Sequence, residues 1–227
     1  MCSRYSLTSP HEAVRAYFRY ANDAVFPPRY NIAPSQPVAI VRNAPSGERE
    51  LALVRWGLIP SWVKDPRQFK MLINARSETV AEKASFRAAI RHRRCLVPAD
   101  GFYEWTGAPG SKRPHLIRPR GGGPMALAGL WENWLGADGS EIETMAILTV
   151  PANKIMSTLH DRMPAILAPE HFDVWLDCRP GTAEPVRGLL APAPDTLLEI
   201  IEVSRKLNNP RNEGPEVQEP VAPGLLL

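Results

Sequence analysis

The sequence predicts an α+β domain built on a curved, mainly antiparallel, barrel-like β-sheet with helices on its periphery. Three observations lead there. Short apolar runs recur along the chain and are cut by turn clusters such as GAPGSKR, RGGGP and GADGS, the pattern of strands joined by tight turns. Helical periodicity is inserted irregularly among those runs, whereas a parallel βαβ fold would alternate the two. A chain of 227 residues, 44% of them hydrophobic, suffices for one sizeable core, so a single domain over residues 1–227 is expected.

The elements follow in order. Ser9-Pro10-His11-Glu12 reads as a helix start, with Ser9 as N-cap, Pro10 at the first helical position and Glu12 three residues after the cap. Val14, Tyr17, Phe18 and Ala21 continue one apolar face. PVAIVRN and ELALVRW, joined by APSGER, form an antiparallel hairpin. The next stretch, GLIPSWVKDPRQFKMLINARSE, is broken by prolines and reads as a long ordered loop, a class of segment that is often functional. A short helix is expected over TVAEKASFRAAIRHR, and RCLVPA, GFYEWTG, PHLIRPR, MALAGLWENW and IETMAILTV read as successive strands. Beyond them come a helix at PANKIMSTLH, a strand at MPAILA, a helix at PEHFDVWLD and a strand at LLEIIEVS. The tail from about residue 215 to 227 is rich in Pro and Gly, and its last dozen residues are expected to be disordered or to lie extended on the surface.

Charge is distributed unevenly. Residues 1–120 hold 20 Lys and Arg against 9 Asp and Glu, while residues 121–227 hold 7 against 15, for a formal total of +3. Either the basic half meets a polyanion, or the two halves pack together and neutralise one another. Arginine dominates the basic half, and Trp56, Trp62, Phe69, Phe86, Phe102, Tyr103 and Trp105 are interleaved with it. Such aromatics are either core or stacking faces for nucleic acid. No apolar run reaches the roughly 18 residues of a membrane span, and the charged first twenty residues do not read as a signal peptide. A cytoplasmic protein with no membrane partner is expected. Cys2, Cys95 and Cys178 lie far apart with no CxxC pair, which suggests neither a disulfide framework nor a zinc cage. No metal and no cofactor are expected.

Cys2 is the most informative of the three. Aminopeptidases remove an initiator methionine when the next side chain is small, and residue 2 would then carry a free α-amine and a thiol together. Their reference pKa values of about 7.7–8.0 and 8.5 give both groups accessible nucleophilic forms near neutrality. Such a 1,2-aminothiol condenses with an aldehyde to a Schiff base, which the sulfur closes to a five-membered thiazolidine. The alternative is an incidental frayed terminus.

Seven segments in order carry a resemblance: MCSR at the start, RYNIAPSQ at 29–36, WGLIPSW at 56–62, NARSET at 74–79, RCLVPADGFYEW at 94–105, HDRMP at 160–164 and VSRKLNNPRNEG at 203–214. Through them the chain resembles the SOS-response-associated peptidase family, also called abasic-site processing proteins. The resemblance implies an enzyme that recognises abasic sites in single-stranded DNA, links to them covalently through Cys2 and shields them. Ser3 stands where that family usually has glycine, which bears on how closely the backbone approaches DNA.

Capture of an abasic sugar requires ring opening, carbinolamine formation and dehydration, each with a proton transfer. Strand alternation in GFYEW puts Phe102 and Glu104 on one face. If that face is buried, the Glu104 carboxyl becomes easier to protonate, which suits an acid working near neutrality. The resemblance assigns Glu104 to proton transfer; the alternative is an ordinary strand glutamate. His160 is a candidate for opening the sugar or a structural histidine. Asn74 and Arg76 share a face if their segment is extended. By resemblance Asn74 belongs to the catalytic pocket and Arg76 to the phosphate contacts, where a guanidinium matches two oxygens at once. Arg4 is a second clamp candidate. Arg162 either contacts DNA or is held by Asp161 as a structural ion pair. Pro34 and Trp105 match positions near the DNA, where apolar surfaces support unstacked bases, or else they are structural. No partner subunit is implied, and a monomer is expected.

Two rival readings stay open. An N-terminal-nucleophile peptidase or amidohydrolase would use the Cys2 thiol on an amide with its own amine as base. A non-catalytic reader of modified bases would leave Cys2 without a task.

Overall fold

The computed structural model describes residues 2–182 and 186–221. Among these residues thirteen strands fall into two sheets. The first strands are β1 (Tyr5–Leu7), β2 (Arg29–Ile32), β3 (Pro37–Asn43), β4 (Arg49–Trp56) and β5 (Asn74–Arg76). Then come β6 (Arg94–Ala99), β7 (Gly101–Thr106), β8 (Arg113–Pro119), β9 (Met125–Leu135) and β10 (Glu141–Pro151). The last are β11 (Arg162–Pro164), β12 (Ile166–Leu167) and β13 (Leu198–Glu202). Helices are few and short: α1 (His11–Phe18), α2 (Ala89–His92) and α3 (Phe172–Leu176).

The smaller sheet runs β13-β8-β7-β1-β2. In the larger one β10, β4, β3, β6 and β9 follow one another, and β9 pairs back onto β10, so the sheet closes on itself. The expected α+β class and barrel-like curvature are both present. Pairing is antiparallel except where β4 and β5 lie parallel to β10. Closure removes free sheet edges and leaves an interior for side chains to fill. Val41, Leu96, Ala146 and Leu148 lie on one face of the closed sheet and Ile40, Val97 and Leu127 on the other, and all are wholly buried, so both faces are covered. Two large aromatics are buried with their polar ends satisfied: Trp56 Nε1 donates to the Ile73 carbonyl at 3.0 Å and Trp175 Nε1 to that of Cys95 at 2.8 Å. At Gly57, where β4 ends, φ is +133° and a Cβ would run into the side chain of Met71, so only glycine fits this entry to the 57–73 loop.

The helices depart from expectation more than the strands. Ser9 does not cap α1: its hydroxyl donates to Asp100 at 2.7 Å, and Pro10 occupies the cap position. The winding over 79–93 is helical in places, but regular α-helix covers only α2. At 151–160 a single 3-10 turn, Met156–Thr158, replaces the expected helix. The expected strand at MPAILA splits into β11 and β12.

The charged halves partly neutralise each other. Arg29, Arg42, Arg49, Arg93, Arg113 and Arg118 each pair with a carboxylate from the second half. The segment after β13 is packed down. Val217 is wholly buried, Gln218 Nε2 donates to the Tyr103 hydroxyl at 2.6 Å, and Val221 N–H donates to the Glu202 carbonyl at 2.9 Å. The remainder of the expected loose tail, 222–227, lies outside the described residues.

Candidate functional site

Strand β1 is threaded between β2 and β7, with Tyr5 opposite both Ile32 and Phe102. Pairing continues upstream of β1, since Tyr103 N–H donates to the Arg4 carbonyl at 3.0 Å. This draws residue 2 into the core, and Cys2 is 0% exposed. Its carbonyl accepts a 2.8 Å hydrogen bond from Asn74 Nδ2, and its thiol donates weakly to the Arg4 carbonyl at 3.7 Å. Burial pushes the thiol pKa well up, and the Glu104 charge pushes it the same way. The sulfur therefore rests as S–H. Asn74 reaches Cys2 because β5 lies parallel to β10, with Asn74 opposite Ile147.

Glu104 sits on β7 opposite His115 of β8 and is 5% exposed, on the face it shares with wholly buried Phe102. The alternation argument holds for these two. Tyr103, on the opposite face, is also wholly buried, because Leu207 and Val217 of the C-terminal segment pack over it. Both faces of β7 are thus covered. Desolvation lowers the pKa of His115.

His160 precedes β11, and its Nδ1 accepts the Arg162 amide N–H at 2.9 Å. Asp161 Oδ1 lies 2.7 Å from the same nitrogen. One nitrogen does not accept from the amide and donate to the carboxylate together. The amide bond is the better-founded of the two, because Asp161 is 84% exposed and water competes for it. With Nδ1 accepting, Nε2 is the ring nitrogen left to donate. Among the described residues no hydrogen bond joins His160 to Cys2 or Asn74. What they share is β10, whose end carries Asn74 and Arg76 on one edge and Arg162 on the other.

Arg4 and Trp105 form the rim. Arg4 Nη1 donates to Asn31 Oδ1 at 2.6 Å and to the Leu207 carbonyl at 3.3 Å, and its guanidinium lies 5.9 Å from the centre of the Trp105 ring. Partial burial lowers the Arg4 pKa from its usual high value, with Glu213 opposing the shift. Trp105 Nε1 donates to Asn208 Oδ1 at 2.7 Å, and Asn208 Nδ2 donates to the Lys112 carbonyl at 3.1 Å. Between them opens a cleft of about 430 Å³ lined by Ser3, Arg4, Trp105, Gly110, Lys112 and Asn208.

The other expected contacts differ among themselves. Arg76 is exposed, and no described residue engages its guanidinium. Arg162 is only 9% exposed: both Glu78 oxygens and the Thr149 carbonyl accept from its guanidinium. The structural ion pair that the sequence allowed for Arg162 is present, but its partner is Glu78 rather than Asp161. Pro34 is half-buried in the Ala33–Gln36 turn, where Ser35 has φ +72°.

Sequence reasoning assigned no role to Asn31 or Asn208. Asn31 is wholly buried and faces the carbonyls of Leu207, Asn209 and Asn212 through Nδ2 while holding Arg4 through Oδ1. A polar residue on the inward face of RYNI was the available signal, since a buried amide needs partners. Among the described residues there is no group of three or more His, Cys, Asp or Glu able to hold a metal ion, and no helix long and apolar enough to cross a membrane.

Comparison with known proteins places this arrangement. The chain is 38% identical over 223 residues to Abasic site processing protein YoqW of Bacillus subtilis, covering 96% of this chain and 99% of that one. It is 35% identical to Abasic site processing protein HMCES of Xenopus tropicalis, covering 84% of this chain and 65% of the relative. A crystal structure of a protein from Bacteroides thetaiotaomicron superposes with a TM-score of 0.85 at 27% identity, over 97% of this chain and 100% of the other. The family model for SOS response associated peptidase (SRAP) matches residues 1–210. The chain belongs to the SOS response associated peptidase family.

Proposed function

We propose that this protein processes abasic sites in DNA, the lesion its relatives are named for, and that it captures them in single strands through residue 2 after Met1 is removed. The observation that carries the reading is the hold on Cys2: Asn74 fixes its carbonyl at 2.8 Å while Glu104 lies close enough to raise the thiol pKa.

The first nucleophile is then the α-amine, since the buried thiol is protonated. The amine adds to the C1′ aldehyde of the opened sugar, and the carbinolamine loses the aldehyde oxygen as water to give an imine. The S–H then adds across the C=N bond: sulfur bonds to carbon, and the proton reaches nitrogen. Glu104 is suited to relay that proton and His160 Nε2–H to assist ring opening. Arg4 and Arg76 supply charge for flanking phosphates, and Trp105, with Pro34, supplies surface for unstacked bases. The product is a thiazolidine crosslink.

The peptidase reading is disfavoured at the sulfur. Attack on an amide needs the thiolate, and burial opposes ionisation of Cys2. Intact-mass analysis of the Met1-free protein mixed with single-stranded DNA bearing one abasic site tests the proposal. A stable adduct mapping to residue 2, and lost when an extra residue blocks the amine, is the expected result. Amide turnover without any adduct would overturn it.

A further inference from the structure

Among the described residues, the ion pairs between the two halves leave the basic segment after Arg76 uncancelled. After Arg76 the chain turns, with Thr79 N–H donating to the Arg76 carbonyl at 3.2 Å, and winds helically toward α2. Lys83 N–H donates to the Thr79 carbonyl at 3.1 Å, and Arg87 N–H to the Lys83 carbonyl at 2.9 Å. Val80, Phe86, Ala89 and Ile90 are buried along its inner side, while Lys83, Arg87 and Arg91 are exposed. Spacing of four residues stacks these three cations on one side, and none of them forms an ion pair with a described residue. Of the segment's two acids, Glu78 is taken by Arg162, and Glu82 leaves a net positive face.

We propose that Lys83, Arg87 and Arg91 form a second DNA-contact surface, which takes the phosphates of the strand beyond the nucleotides held at the site. The proposal rests on the abasic-site reading above. Eight residues of chain separate Lys83 from Arg91, a row long enough to meet a few consecutive phosphates of one strand. Its start at Arg76 makes it continuous with the expected phosphate contact. Cations without partners are the ones free to displace counterions from a polyanion.

The test measures binding to two single strands, each carrying a non-reactive abasic analogue: a short one ending beside the lesion and a long one extending past it. For the long strand, Lys83→Ala/Arg87→Ala/Arg91→Ala should reduce the slope of log affinity against log salt by about 2, at about 0.7 per single-strand phosphate contact. The short strand should bind as before, with an unchanged crosslinking rate on the reactive lesion. Glu82→Lys should strengthen long-strand binding, a gain that a misfolded variant would not give. Identical long-strand slopes for the triple variant and the unaltered protein overturn the inference. Failure of the unaltered protein to crosslink either reactive strand overturns the abasic-site reading instead.

Discussion

Asn31 Oδ1 accepts a 2.6 Å hydrogen bond from Arg4 Nη1, so a wholly buried amide on β2 fixes the guanidinium at the rim of the cleft. The same amide faces three carbonyls of the 207–212 segment. Asn31→Ala strands buried acceptors and releases Arg4. It should lower stability by about 2–3 kcal/mol, measured by urea denaturation, and weaken DNA binding in parallel. Full stability with weakened binding would show that the carbonyls find other donors and that only the hold on Arg4 matters.

Asn74→Asp replaces the donor that meets the Cys2 carbonyl with an acceptor. Two oxygens then face each other, and residue 2 shifts. Crosslinking should slow by about 10–100-fold, the scale of a small misplacement of reacting groups. A time course on gels reads it, with circular dichroism as the check on folding.

Glu104→Gln keeps the shape of a side chain that is 5% exposed on β7 but removes its capacity to carry a proton. Crosslinking should fall by about 10²–10⁴-fold, with thermal stability changed little. An unchanged rate would reduce Glu104 to a packing role.

The Arg162 guanidinium beside Glu78 holds that carboxyl below its ordinary pKa of 4.5. A group depressed in the folded state stabilises fully above its unfolded pKa and stops doing so as pH falls through the folded value. Glu78→Gln should cost about 1–2 kcal/mol at pH 7, less than a fully buried pair because water screens the Glu78 side. The gap between variant and parent should narrow below pH 4.5. Urea midpoints across that range measure it, and a constant gap would mean that the pair is not the source.

Iodoacetamide should label Cys178, which is half-buried, well before Cys95, which is 0% exposed and whose thiol pKa burial pushes up. Peptide mapping after short exposure reads the order. Early labelling of Cys95 would show that the barrel opens readily around β6.

The strands were legible because their signals are local: apolar runs bounded by Gly and Pro clusters, with inward residues such as Phe102 and Glu104 set by alternation. Helices were over-read where tertiary demands cut them short. At 151–160, Asn153 turns its Oδ1 to the Met156 amide and its Nδ2 to the Ala193 carbonyl, and the chain must reach β11 in time to pair with β10. Ser9 had the sequence of a cap, but Asp100, 91 residues away, took its hydroxyl. Of the proposed site, Cys2 was legible by its position and chemistry, while Asn74, Glu104 and the proposed DNA contacts came largely through family motifs. The bracing contacts were not legible. Asn31 meets the Leu207 carbonyl across 176 residues, and Arg162 meets Glu78 across 84. No local pattern encodes such pairs, and the neighbouring Asp161 was a plausible but solvent-exposed decoy.

The threading of the first strand between partners made much later has a consequence for biosynthesis. Arg4 gains its bond to the Leu207 carbonyl across 203 residues. At about 5–20 residues per second, roughly 10–40 s separates translation of the two. Until residue 207 emerges, Arg4 lacks that acceptor, so the rim of the cleft is among the last parts of the molecule to be completed, and a chain cut short before residue 207 cannot brace Arg4 from that side.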